Sequence, residues 1–124
     1  MRVWIEDEPM AVKSGKKTPA LKGWSEKVVQ VLSQRPSLGS GNYRVRIDFL
    51  IPLNRYQLEN KQNPQAKDLD NLVVPVFDAL SKTVLKDAAG DGAIIELFAK
   101  KRPAAPSERP GIRVTITPRD KPTG

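Results

Sequence analysis

Residues 43–51 read YRVRIDFLI, with apolar and polar side chains alternating from one position to the next. Alternation with a period of two is typical of a β-strand that buries one face and leaves the other open. The buried face would carry Tyr43, Val45, Ile47, Phe49 and Ile51. The opposite face, which we expect to be solvated, would carry Arg44, Arg46 and Asp48.

Two stretches with helical spacing flank this strand. The first begins at Pro19, a residue suited to the first turn of a helix, and runs to about Leu32, with its apolar face formed by Leu21, Trp24, Val28, Val31 and Leu32. The second follows the sequence KDLDN at residues 67–71 and carries the apolar residues Leu72, Val73, Val76, Phe77, Leu80 and Val84. Because Pro75 has no backbone N–H, regular helix would begin near or after it, or lose one hydrogen bond in its first turns.

Three further strands are predicted, at residues 1–5, 93–99 and 111–117. The last of them alternates like the central strand, with Ile112, Val114 and Ile116 facing inward. The order is therefore β-α-β-α-β-β, which predicts one α+β domain over residues 1–124, with two helices packed on a small mixed sheet. Outside these elements we expect a mobile polar loop at 54–66, a basic, proline-rich connection at 100–110 and a frayed tail at 118–124.

The composition excludes several classes of enzyme. The 124-residue chain has no His and no Cys, so serine–histidine triads, cysteine–histidine dyads and thiolate or imidazole zinc sites are ruled out. Hydrolytic chemistry would have to depend on carboxylates, Lys, Tyr or a metal bound by oxygen. No apolar run approaches the roughly 20 residues that span a bilayer, and the acidic start of the chain does not resemble a signal peptide. We therefore expect a soluble, cytoplasmic protein with no membrane partner.

The charge of the chain is unevenly distributed. The net charge is +7 and the pI is about 9.9, which favours a polyanionic partner such as nucleic acid. Residues 67–99 nevertheless hold six acidic and three basic side chains. Basic flanks around an acidic centre would suit a Mg²⁺-dependent nuclease, in which cations hold phosphates and carboxylates hold the metal. The alternative is an ordinary solvated acidic face.

The acidic segment begins with two aspartates, Asp68 and Asp70, separated by Leu69. If this segment is extended, both carboxylates point to the same side and repel each other unless a cation lies between them. Mg²⁺ is a natural counter-ion, since it takes oxygen ligands and often only one or two carboxylates. Asn71 could cap the following helix or ligate through its amide oxygen. The simpler alternative is that DLDN only caps a helix.

Asp91 is the candidate for a third carboxylate. It lies between two glycines just before an apolar strand, where an ordinary turn aspartate is an equally good explanation. Asp87, in the same turn segment, is the fallback. Asp78 falls within the second helix and is expected to lie on its surface.

The run KDLDNL at residues 67–72, followed by FDAL at residues 77–80, resembles the core motif of the RusA family of Holliday-junction resolvases. Asp91 resembles the third acidic position of that family, and the basic stretch 100–103 and the closing strand follow its layout. The resemblance covers roughly residues 43–117. It implies a small α+β homodimer that uses Mg²⁺ or Mn²⁺ to cut branched, four-way DNA junctions in recombination and repair.

The resemblance assigns roles to individual residues. Asp68, Asp70 and Asp91 correspond to the catalytic, metal-binding carboxylates, and Asn71 to a supporting residue. Such an ion polarises the scissile phosphate and activates water, so no protein nucleophile is needed, and a two-fold dimer suits paired nicks. From their clustering, we expect the phosphate contacts to come from Lys13, Lys16, Lys17, Lys67, Lys100, Lys101 and Arg102.

One position departs from the family pattern. Val74 stands where the family has a catalytic Lys, and loss of such a group can lower a rate by orders of magnitude. Lys67, Lys82 or Lys86 could act in its place. Two alternatives therefore remain: a catalytically impaired, structure-specific DNA-binding protein of the same fold, and a small basic RNA-binding protein without a carboxylate metal site.

Overall fold

The computed structural model describes residues 1–11, 18–56, 68–88 and 90–119, without the side chains of Asp68 and Asp91. Its elements, in chain order, are β1 (Arg2–Glu6), α1 (Pro19–Ser33), β2 (Asn42–Ile51), α2 (Asp68–Lys82), a 3₁₀ turn (Gly90–Ala93), β3 (Ile94–Pro103) and β4 (Gly111–Arg119). Residues 53–56 are also helical. The predicted α+β class, with its order of strands and helices, is confirmed.

The four strands form one mixed sheet in the order β1-β4-β2-β3. Strand β2 lies inside the sheet, antiparallel to β4 and parallel to β3, while β1 pairs antiparallel with the outer side of β4. A parallel pair needs a long crossover connection, and α2 lies in the crossover between β2 and β3. The sheet therefore has β1 and β3 at its edges.

The core lies between one face of the sheet and the two helices. The alternation predicted for the central strand and the closing strand is confirmed, because the inward side chains of β2 and β4 are almost completely buried. Leu21, Trp24, Val28 and Leu32 of α1 meet this face, together with Leu72, Val76, Ala79 and Leu80 of α2. The opposite, helix-free face of the sheet carries the charged positions.

Helix α1 begins where the sequence predicts. The hydroxyl of Thr18 accepts a hydrogen bond of 3.1 Å from the backbone N–H of Leu21, and Pro19 occupies the first turn. The hydroxyl thus pairs one of the free backbone N–H groups at the helix N-terminus, and proline contributes no N–H that would need a partner there.

Helix α2 contains Pro75 in its interior. The helix does not wait until Pro75 to begin. It continues through this residue and lacks the one hydrogen bond that a backbone N–H would make there. An interior proline costs about 3 kcal/mol. Burial of Leu72, Val76 and Leu80 against the sheet offsets that cost, since each side chain of this kind contributes about 1.5–3 kcal/mol.

Several boundaries differ from those expected. Residues 100–103, expected to be a connection, continue β3 because they pair with residues 48–51 of the long strand β2. Residues 118 and 119, expected in the tail, pair with Tyr43 and Asn42. Residues 54–56 are helical, whereas the rest of the expected loop and the last five residues lie outside the described part of the chain.

The contact between β1 and β4 requires a glycine. A Cβ at Gly111 would lie 2.5 Å from the carbonyl oxygen of Ile5 and 2.6 Å from the ring of Trp4. Gly111→Ala is therefore expected to lower the free energy of unfolding by about 1–3 kcal/mol, as overpacking usually does, when measured by urea denaturation.

Gly23→Ala is the matched control, because a Cβ on this exposed helical residue meets nothing within 4 Å. It should raise the free energy of unfolding by about 0.5–1 kcal/mol, since alanine favours helix. Equal effects of the two substitutions would contradict the packing argument.

Candidate active site

Asp70 lies in the first turn of α2 and is exposed to solvent. One oxygen of its carboxylate accepts a hydrogen bond of 3.0 Å from the backbone N–H of Asn71. With Leu69, Val73, Leu97 and Ala99 it lines a mostly apolar groove of about 450 Å³ between the start of α2 and strand β3. Among the described side chains of the groove, Asp70 is the one that offers carboxylate oxygens, at the rim of an apolar wall.

The expected extended geometry of the DLDN segment is wrong. Residues 68–70 are already helical, because the apolar face of α2 extends back to Leu69 at the groove. Positions two apart in an α-helix are separated by about 200° around its axis, so the same-side argument for Asp68 and Asp70 does not hold. The side chain of Asp68 lies outside the described set.

The candidates for a third carboxylate lie at the other end of α2. Gly90, the neighbour of Asp91, packs against Ser81, with a Cβ at Gly90 lying 3.6 Å from that of Ser81. Ser81 follows Asp70 by 11 positions, which corresponds to about 16 Å along a helix axis. Asp87 is exposed in the turn just after α2, at this same end. One copy of the chain therefore does not bring its third acid to Asp70.

No group of three acidic side chains that could hold a metal occurs among the residues whose side chains the structure describes. Asp70 has the oxygen chemistry that Mg²⁺ prefers. Among the side chains that the structure describes, it is the one candidate ligand at the groove.

Val74 lies one helical turn after Asp70 and is 54% exposed. Positions 70, 74, 78 and 82 form an exposed stripe along α2, because residues four apart share a helix face. Asp78 lies on the helix surface as predicted and pairs with Lys82 at 3.0 Å. Lys82 and Lys86 belong to the far end of the helix, so neither replaces the missing Lys beside Asp70 in the same chain.

Lys101 is the basic side chain of β3 that follows the groove. Leu97, Ala99 and Lys101 alternate on one face of β3 and are in register with Val45, Ile47 and Phe49, whose side chains point to the helices. Lys101 is therefore about 7 Å along the strand from Ala99 in the groove wall. Its ammonium lies 5.8 Å from the ring centroid of Tyr56. Sequence reasoning missed this placement, because residues 100–103 were expected to be a loop.

The other basic residues expected to contact phosphate fall into three situations. Lys100 is exposed on the helix-free face of the sheet, opposite to Lys101. Arg102 makes two hydrogen bonds of 2.6 Å to Glu108, which engage its guanidinium group. Lys13, Lys16, Lys17 and Lys67 lie outside the described residues.

The helix-free face carries a second hollow of about 500 Å³, lined by Arg44, Arg46, Glu96, Leu97 and Phe98. Glu96 accepts hydrogen bonds from Arg44 at 2.7 Å and from Arg119 at 3.0 Å. These two guanidinium groups hold the pKa of Glu96 below its usual value. The alternation of β2 predicts the charged face but not the partner residues that other strands bring to it.

A comparison with protein-family models finds the endodeoxyribonuclease RusA family over residues 6–117. The chain belongs to the RusA endodeoxyribonuclease family. The resemblance found in the sequence is therefore confirmed, and the RusA match covers DLDN, Val74, Asp91 and Lys101 together. No curated protein matches the chain. Among the described residues, no helix is long and apolar enough to cross a membrane.

The Arg102–Glu108 pair makes stability depend on pH. Hydrogen bonds from Arg102 and from the backbone N–H of Ala105 lower the pKa of Glu108 from 4.5 to about 2. Because the unfolded chain binds this proton at higher pH, the pair stabilises the fold above about pH 4.5, and that contribution is lost as the pH falls towards 2.

Thermal unfolding between pH 2 and 6 should show this loss, and Glu108→Gln should remove it from the profile. Arg102→Gln is the first control: it leaves the hydrogen bond from Ala105 to Glu108, so a smaller part of the pH dependence should remain. The double variant is the second control and should match Glu108→Gln. An unchanged profile in Glu108→Gln would contradict the assignment.

Proposed function

We propose that this RusA-family chain is a metal-dependent endodeoxyribonuclease that cleaves four-way DNA junctions by phosphodiester hydrolysis. The family match over residues 6–117 carries the proposal. The exposed Asp70 at the rim of the groove supports it, since a carboxylate accessible to solvent can share a hard cation with a phosphate. The absence of His and Cys from the chain also favours hydrolysis by metal-activated water.

The metal centre would be completed by a second copy of the chain. Asp68 and Asp70 would come from one copy and Asp91 from the other, with Asn71 beside them, because Asp70 and Asp91 lie at opposite ends of α2 within one chain. Mg²⁺ or Mn²⁺ bound there would supply Lewis-acid activation of the phosphate and of water. A two-fold dimer would then contain two equivalent sites, as symmetric cutting requires.

Lys101 would serve in place of the Lys that Val74 replaces. It lies on the same face of β3 as the groove wall, and the ring of Tyr56 beside its ammonium helps to orient it. A cation at this position can contact a phosphate bound at Asp70 and stabilise charge that develops during hydrolysis.

Asp70→Asn is expected to lower the rate of junction cleavage about 10²–10³-fold or more, since it removes the charge that holds the metal. The measurement is single-turnover cleavage of a labelled four-way junction in Mg²⁺ and in Mn²⁺. Asp78→Asn is the control, because this carboxylate is exposed on the same helix, two turns away, and pairs with Lys82. Undiminished cleavage by Asp70→Asn would refute the site.

Lys101→Gln is expected to reduce kcat about 10²–10³-fold while junction binding changes less than about threefold, the pattern of a group that acts in the transition state. Val74→Lys in the Lys101→Gln background should restore part of the rate. Lys22→Gln is the charge-matched control, because this side chain is exposed on α1. A loss of binding without a loss of kcat would place Lys101 in DNA contact only.

The second candidate is a DNA-binding protein without turnover, which the exposed valine at position 74 favours. It predicts tight junction binding and no cleavage in either metal. In that case Val74→Lys would be the variant to test for a gain of activity.

A further inference from the structure

Four rows of side chains run across the strands on the helix-free face of the sheet. One of them, Glu6, Gly111, Leu50 and Arg102, is balanced in charge, and its Arg102 pairs with Glu108. The other three rows lie next to one another. The first row is Arg2, Thr115, Arg46 and Phe98, and the second is Trp4, Arg113, Asp48 and Lys100. The third is Thr117, Arg44 and Glu96, with Arg119 next to it. These three rows hold six cations against two carboxylates, so much of the positive charge of the chain is concentrated on this one surface.

The ion pairs on this face leave a surplus of positive charge. Glu96 is shared between Arg44 and Arg119, and Asp48 pairs with Arg46 at 3.1 Å. Arg2 and Lys100 make no ion pair or hydrogen bond through their side chains within the described ranges, and both are exposed. A surface of this kind attracts a polyanion, because the released counter-ions supply the free energy of binding.

The two exposed aromatic rings of this face hold cations. Arg46 lies 4.9 Å from the centroid of the Phe98 ring, and Arg113 lies 6.0 Å from that of Trp4. Phe98 is 53% exposed, and the guanidinium of Arg46 lies over its ring. The rings therefore orient arginines towards solvent, which favours contacts to phosphates over stacking of bases.

The face adjoins the candidate active site. Leu97, on the edge strand β3, borders both the groove at Asp70 and the hollow at Arg46 and Phe98. The three rows span about 13 Å along the strands and the sheet is about 14 Å wide. That is room for several phosphates of one DNA strand.

We propose that the helix-free face of the sheet binds the phosphate backbone of a DNA segment other than the one at Asp70, with Arg2, Arg46 and Arg113 as its main contacts. A second copy of the chain fits this surface poorly, since a two-fold pair would bring two cationic faces together. The inference rests on the proposed function only in taking DNA as the polyanion.

The test uses Arg2→Gln/Arg46→Gln/Arg113→Gln and a plain, labelled 20-base-pair duplex in EDTA, with binding followed by fluorescence anisotropy between 50 and 200 mM salt. Three lost phosphate contacts should reduce the slope of log Kobs against log salt by about 2–3 and weaken binding about 10²-fold at 100 mM salt. The matched control is Lys22→Gln/Lys27→Gln/Arg35→Gln, which removes the same charge from exposed positions outside this face and should change affinity less than about threefold. Urea unfolding confirms that each variant is folded.

A second variant tests the face by gain of function. Thr117 is exposed in the third row, and Thr117→Lys should tighten duplex binding about fivefold or more. Equal losses of duplex affinity in the two triple variants would overturn the proposal. A wild-type protein that binds a labelled 20-base single strand but not the duplex would also overturn it. So would unchanged DNA affinity in the first triple variant together with loss of self-association, which would identify a second copy as the occupant.

Cleavage is not part of this measurement. Duplex binding through the face in a protein that never cuts junctions would uphold this inference and refute the proposed function. Junction cleavage by a protein whose helix-free face does not bind the duplex would uphold the proposed function and overturn this inference.

Discussion

The parallel pairing of β2 with β3 is the constraint on which the rest of the molecule depends. Two parallel neighbours cannot be joined by a tight turn, so the chain must return along one face of the sheet, and α2 is that return. This requirement places α2 on one side of the sheet, where α1 packs beside it, and separates the two ends of α2 by its full length. The distance between Asp70 and Asp91 follows from this connection.

The central pattern of the fold is local and was predictable. Alternation in residues 43–51 and 111–117 identifies the buried face correctly, and the Thr18–Pro19 pair marks the start of α1. The errors arise where pairing with a distant strand decides the structure. Residues 100–103 are basic and end at a proline, yet they form a strand because β2 is long enough to hold them in register. No local signal contains that information.

In the candidate site too, local features were predictable and those that depend on distant strands were not. The sequence predicts a site around Asp70, Asn71 and Val74, and all three residues lie within the family match. It could not show that residues 68–70 are helical, or that the alternation of β3 places Lys101 on the face of the groove wall and Lys100 on the opposite face. Under the proposed function, a strand would supply the charge that the motif lacks on its own helix, because a phosphate is contacted by whatever lies near it in space.

The two tryptophans of the chain lie on opposite sides of the sheet. Trp4 is 37% exposed on the helix-free face beside Arg113, whereas Trp24 is buried at 2% exposure in the helical layer. The indole N–H of Trp24 has no hydrogen-bond partner within the described residues, so its surroundings are apolar. The protein consequently carries two distinct intrinsic fluorophores. A water-soluble quencher reaches the red-emitting indole of Trp4 in the native state, while the blue emission of Trp24 shifts only when the core opens, so surface occupancy and unfolding can be followed separately without a label.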